Sequence, residues 1–198
     1  METQEKEFTG QESLQIIQGM IMTAKKQIND SSFYFLLWGW MCVIGNLMGY
    51  FCHVNMKYDY EGYSWAMLSI IGGIIHGIYA SKREKRARVK TYVDDCMKYL
   101  WGAFIIVYLL IMIFLLSYHQ HILISPVLFT LVGLATFTTG GVIQFKPLII
   151  GGIVFWVFAV ITFLIPTELQ YMLSAMAMIC GYIIPGYMLK SKYKKENV

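Results

Sequence analysis

Tyr99-Leu100-Trp101-Gly102-Ala103-Phe104-Ile105-Ile106-Val107-Tyr108-Leu109-Leu110-Ile111-Met112-Ile113-Phe114-Leu115-Leu116-Ser117 contains no Asp, Glu, Lys or Arg. A helix needs about 20 apolar residues to cross a hydrocarbon layer, so this stretch alone reads as a transmembrane span. Two uncharged blocks of the same kind precede it, at about 32–54 and 62–81. Three follow, at about 122–145, 147–165 and 169–189. One charge placed at a helix centre costs about 2.5–3.5 kcal/mol, and every charge in the chain lies outside these blocks or at their edges. The 198 residues are 57% hydrophobic and only 14% charged, far from the quarter charged that a soluble domain carries. Six spans leave fewer than about 80 residues for everything else, which excludes a separate soluble catalytic domain or a DNA-binding module.

The sequence thus predicts an all-α membrane protein of six transmembrane helices. A cytoplasmic N-terminal arm covers residues 1–30, the membrane domain 31–190 and a basic tail 191–198. The fourth and fifth blocks are parted only by Lys146-Pro147, and their combined length favours two spans with a tight turn over one kinked helix. No basic segment with a short apolar core opens the chain, so a secretory signal peptide is not expected. Orientation follows from the cations. With the N-terminus inside, Lys25, Lys26, Lys82–Lys90, Lys98, Lys146 and Lys190–Lys195 are all cytoplasmic, and Lys57 alone is external. Both termini are expected to face the cytoplasm of a cell (inner) membrane.

Leu37-Trp38-Gly39 opens the first span and Leu100-Trp101-Gly102 the third, with Ile150-Gly151-Gly152 in the matching place of the fifth. Each even span closes with a Gly shortly before a Lys: Gly77 and Lys82, Gly141 and Lys146, Gly186 and Lys190. Three helical hairpins in parallel orientation produce this pattern, although any six-span protein places Gly within helices and Lys at the inner face. Six spans in three hairpins resemble the HdeD-like acid-resistance membrane proteins. The segment Ser13-Leu14-Gln15-Ile16-Ile17, with Met20-Ile21, Ala24-Lys25 and Leu36-Leu37-Trp38-Gly39-Trp40, resembles the start of a family of small uncharacterised bacterial membrane proteins. These resemblances imply membrane location and nothing about catalysis.

In the arm, Thr9-Gly10-Gln11-Glu12 reads as a capping box. Leu14, Ile17, Ile21, Ala24 and Ile28 recur at spacings of three and four, predicting a helix from about Gln11 to Asn29 that ends at Asn29-Asp30-Ser31-Ser32. Its apolar stripe suits the inner headgroup layer, the underside of the bundle or the helix of a protein partner. The run Lys82, Arg83, Lys85, Arg86, Arg88 and Lys90 fits attraction to anionic lipid headgroups or a docked partner. The orientation rule already explains that run, so nucleic acid is not an expected ligand.

Polar side chains within spans are the candidates for chemistry, because hydrocarbon makes them costly. Asn46, His76, Thr136, Thr138 and Gln144 are the candidate lining of a cavity. His76 suits substrate binding, proton relay or pH sensing. It equally suits a neutral ring hydrogen-bonded to a neighbouring helix, and no carboxylate lies in any span to pair with it. Asn46 can bond across helices, and threonines can bond their own preceding carbonyls. Gly45 and Gly49, Gly73 and Gly77, and Ala177 and Gly181 put small residues along three helices, for packing within the bundle or in a homo-oligomer. His53, His119 and His121, with Asp59 and Glu61, lie near the outer ends of spans at spacings too loose to predict a metal site. Cys42, Cys52, Cys96 and Cys180 form no metal-ligand or disulfide pattern. No phosphate loop or nucleophile elbow is present, and no cofactor is expected. The sequence therefore points to a non-enzymatic regulatory, accessory or envelope-stress protein acting through lipid or protein partners. The alternative is a small transporter or channel for a neutral or lipophilic solute.

Overall fold

The computed structural model describes the backbone of residues 10–55, 61–86 and 92–195, and the side chains of 32–54, 65–85 and 93–192. The described residues are helical, with no strand among them. The helices are α1 (Gly10–Asn55), α2 (Glu61–Arg86), α3 (Tyr92–Ser117), α4 (Ile124–Val142), α5 (Lys146–Leu164), α6 (Thr167–Met178) and α7 (Ile184–Lys195). A π-helical turn at Ile179–Ile183 joins α6 and α7 into one rod. Five segments are long and apolar enough to cross a membrane: Ser32–Val54, Val93–Ser117, His121–Val142, Lys146–Leu164 and Thr167–Lys192. The second predicted span is not among them. It lies in α2, whose first four residues, Glu61 to Ser64, fall outside the described side chains.

The helical break predicted at Asn29-Asp30-Ser31-Ser32 is absent, because α1 runs unbroken for 46 residues. Asn, Asp and Ser inside a helix cost at most about 0.7 kcal/mol each, and cooperative propagation from the apolar segments on both sides overrides that sum. Ser32 itself is buried, 2% exposed. The helix begins one residue after Thr9, which lies outside the described residues, as do Asp59, Arg88 and Lys90. The side chains of Leu14, Ile17, Ile21, Ala24, Glu61 and Arg86 also lie outside them.

The core forms where α1, α4, α5, α6 and α7 meet. Tyr182, held by the π turn, is its hub: its ring meets Phe35 of α1 edge-on at 5.3 Å and Phe155 of α5 at 5.1 Å. Phe155 in turn stacks on Phe129 of α4 at 5.8 Å. Pro185 accounts for the π turn. It lacks an N–H, and its ring crowds the carbonyl four residues back, so the helix widens before it and leaves the Gly181 carbonyl without its usual donor. That oxygen lies 2.5 Å from where a Gly151 Cβ would stand, so only a glycine lets α5 close against it.

Helices α4 and α5 make the closest pair. The hairpin scheme assigns them to different units, yet Gly133, Gly140 and Gly152 bring their backbones together. A Cβ on Gly140 would stand 2.7 Å from the Ile149 nitrogen, and one on Gly152 would stand 2.7 Å from the Phe137 nitrogen. Helix α3 instead buries almost none of its span, leaving Ile105, Ile106, Ile113 and Phe114 more than half exposed. Such a surface is an aggregation hazard in water and an ordinary one in lipid.

Two helices end alike. Phe145 N–H donates to the Gly140 carbonyl at 2.9 Å and Gln144 N–H to the Gly141 carbonyl at 3.2 Å. Gln120 and His119 repeat the arrangement on Leu115 and Leu116 at 2.8 and 3.1 Å. These are Schellman motifs, whose turning residue adopts a left-handed backbone usually reserved for glycine. Here Gln144 (φ 53°) and His119 (φ 54°) occupy it. Gln144→Gly is therefore expected to raise stability by about 1 kcal/mol, read as a higher unfolding midpoint in detergent; a lower midpoint would show that the Gln144 side chain holds the turn.

Candidate functional site

The five candidate lining residues fall in separate places. On α2, His76 is half-buried against α1, and the Trp38 indole Nε1–H donates to His76 Nδ1 at 3.2 Å. An indole nitrogen only donates, so the accepting Nδ1 carries no proton and the ring is neutral with its proton on Nε2. Tyr34 lies against the ring, centroids 4.6 Å apart, and Phe33 stacks on Tyr79 one turn further along. The arrangement resembles the neutral hydrogen-bonded histidine that the sequence allowed, with a tryptophan rather than a carbonyl as partner.

Thr138 bonds the Leu134 carbonyl of its own helix at 2.8 Å, on the outer side of α4. Gln144 is exposed in the α4–α5 turn, because the left-handed cap places it beyond the helix rather than along its inner wall. Neither lines an interior cavity together with His76.

Asn46 and Thr136, by contrast, are both buried, the first on α1 and the second on α4. Thr136 is fully buried, and its hydroxyl donates to the Val132 carbonyl. Asn46, one turn beyond Cys42, donates from Nδ2 to the Cys42 carbonyl at 2.8 Å. On this side of α1, helix α6 runs antiparallel to it. A Gly49 Cβ would stand 3.0 Å from the Tyr171 ring, and His53 Nε2 lies 4.0 Å from Glu168 Oε1 at the far end. Ser174, 3% exposed, lies on α6 about one turn beyond Tyr171 toward the π turn.

The chain matches no family model, no curated protein and no solved structure.

Sequence reasoning missed Ser174, Tyr182 and Gln170. The cost of a polar group in hydrocarbon, which picked out Asn46, applies equally to Ser174 and Gln170 and would have found them. Gln170, 2% exposed, bonds through Nε2 to the carbonyls of Thr162 (2.9 Å), Ile122 (3.2 Å) and Ile165 (3.3 Å), tying three helix ends together. The packing glycines divide. Gly45 closes on the Trp65 ring and Gly181 on Phe155, and Ala177 is fully buried. Gly73 and Gly77 face open space, with nothing within 4 Å of an added Cβ, so they do not pack the bundle. The repeat pairs Gly39 with Gly102, but Gly39 presses on Ile183 and Tyr182 while Gly102 meets nothing.

In the basic run, Lys82 and Lys85 are exposed. Arg83 turns from that surface to pair with Asp94 at 2.6 Å, linking the end of α2 to the start of α3. At the same end Lys192 lies over the Phe145 ring, 5.7 Å from its centroid. His119 and His121 are exposed with ring centroids 6.2 Å apart, and the described residues contain no cluster of three metal-ligating side chains.

Proposed function

We propose that this chain is a non-enzymatic accessory or regulatory protein of the cell membrane, acting through a partner helix docked on the projecting part of α1. The supporting observation is the continuity of that helix. An arm lying flat on the headgroups requires a bend near Asn29, and α1 has none there. A helix of 46 residues is about 69 Å long, roughly twice the hydrocarbon thickness, so the arm extends about 33 Å beyond Ser32 along the axis of the span. At 3.6 residues per turn, Leu14, Ile17, Ile21, Ala24 and Ile28 share a side of the helix with Phe35, Gly39 and Asn46, which the bundle buries. A load on the arm is thereby carried by a rigid rod into the α1–α6 interface.

Six crossings and cytoplasmic termini belong to the same reading. Helix α2 returns along α1 for the length of its span: Trp65 covers Gly45, Gly72 faces Trp38 and Tyr79 stacks on Phe33. If α1 crosses the membrane, α2 accompanies it back. The exposed Lys82, Lys85, Lys190 and Lys192 then share the inner surface, where anionic lipid holds them. The HdeD-like architecture of three hairpins is compatible with this topology.

Crosslinking and affinity capture from native membranes test the proposal, with the intact chain compared with a chain lacking residues 1–30 and with an Ile17→Asp/Ile21→Asp variant. One stoichiometric protein is expected on the intact chain and on neither altered form. Capture that is unchanged by both alterations, or absent throughout, would overturn the reading and direct attention to solute flux in liposomes.

A further inference from the structure

The cations at the Arg83 end of the bundle divide into two groups. On the α2–α3 side, Arg83 has a carboxylate of this chain, Asp94 at 2.6 Å. On the α5–α7 side no such partner is at hand. From Cys96 to Lys192 the one acidic residue is Glu168, which pairs with His53 at the opposite end. Lys146, Lys190 and Lys192 are exposed, and none forms an ion pair among the described residues. Two of them meet at one turn. Lys192 Nζ stands over the Phe145 ring, 5.7 Å from its centroid, and Phe145 immediately precedes Lys146. The bundle buries that ring, which holds the ammonium above it. Helix α5 begins at Lys146 and adds the positive end of its dipole. Like charges gathered in this way favour an anion between them.

We propose that this corner is the docking surface for one anionic phospholipid, with its phosphate between Lys146 and Lys192 and an acyl chain along Ile150, Ile153 and Val157. Those three residues follow Lys146 at helical spacing on one side of α5, and each is about half exposed. A pair of cations at the head of an apolar strip matches a molecule with a charged head and a hydrocarbon tail, whereas free phosphate leaves the strip uncovered. Lysine, a point charge with three donors, suits a phosphate without demanding a fixed geometry. Lys190 lies about 200° around α7 from Lys192 and faces another side. The inference rests on the membrane location of the chain and not on the arm of α1. It narrows the general attraction of exposed lysines for acidic lipid to a single corner.

The intact chain is reconstituted in liposomes of equal parts phosphatidylcholine and phosphatidylglycerol, extracted in mild detergent and weighed by native mass spectrometry. One phosphatidylglycerol is expected to stay on each chain in preference to phosphatidylcholine. Lys146→Gln/Lys192→Gln should weaken that retention at least about tenfold. Lys82→Gln/Lys190→Gln removes the same charge elsewhere on the surface and should leave retention unchanged. Excess inorganic phosphate should not displace the lipid. Equal retention of the two lipids, undiminished retention in Lys146→Gln/Lys192→Gln, or equal loss in both glutamine pairs would overturn the proposal. Displacement by inorganic phosphate would overturn it too, since the corner would then read an anion and not a lipid.

Discussion

Gly152→Ala is expected to destabilise the bundle by about 1–3 kcal/mol, while Gly73→Ala and Gly77→Ala leave stability unchanged or raise it by up to about 1 kcal/mol. The chemical change is the same at all three positions, and the surroundings set its sign. At Gly152 the added methyl would stand 2.7 Å from the Phe137 nitrogen and 2.8 Å from its Cα. Those are backbone atoms, so the α4–α5 pair has to separate and forfeit dispersion contacts along its length. Gly140 meets the same obstacle in the Ile149 nitrogen. At Gly73 and Gly77 no atom lies within 4 Å, and alanine brings only its higher helix propensity. Unfolding midpoints in mixed micelles measure all three. Equal losses at Gly73 and Gly152 would mean that another surface covers the α2 glycines in the membrane.

That contrast shows where the sequence was legible. Charge exclusion from hydrocarbon is a strong, local constraint, and it places spans closely: 147–165 is predicted and Lys146–Leu164 is found. Glycine spacing is a weak signal, since a helix shows the same small residues whether it packs, lines open space or faces lipid. Gly73 and Gly77 fit the small-residue pattern and touch nothing, whereas Gly133, Gly140 and Gly152 fit it poorly and bring two helices together. The polar break at Asn29–Ser32 misled for a related reason. Helix propensity is read one residue at a time, while the continuity of α1 is decided by the apolar segments on both sides.

The candidate site was half legible for the same physical reason. Asn46 and Thr136 were identified by cost alone, but cost does not say which neighbour relieves it. Thr136 is relieved by its own helix, and Tyr182 at the hub of the core depends for its position on the π turn that Pro185 forces. No periodicity announces that turn. His76 was given several roles from its titration chemistry, and its actual neighbour, Trp38, lies thirty-eight residues away on another helix. Span positions follow from composition, whereas pairings between helices depend on register, and a single sequence carries little of that.

Gln170→Leu should be the most damaging conservative replacement at the His53 end, costing about 1–3 kcal/mol. Helix α5 ends at Leu164 against Ile165-Pro166, and its last carbonyls have no intrahelical donor. The Gln170 amide supplies one, bonding Thr162 and Ile165 and reaching across to Ile122, where α4 begins. Leucine keeps the volume and removes the donor, so the loss reads out unsatisfied carbonyls rather than a cavity. Water relieves such groups at an exposed helix end, but this side chain is 2% exposed. Gln170→Glu separates the two contributions, because a carboxylate offers the carbonyls only repulsion and a protonated carboxyl restores one donor. Its deficit should therefore exceed that of leucine at neutral pH and shrink as the pH falls through the carboxyl pKa. A pH-independent deficit equal for both variants would show that packing volume, and not the shared amide, holds the three helix ends together.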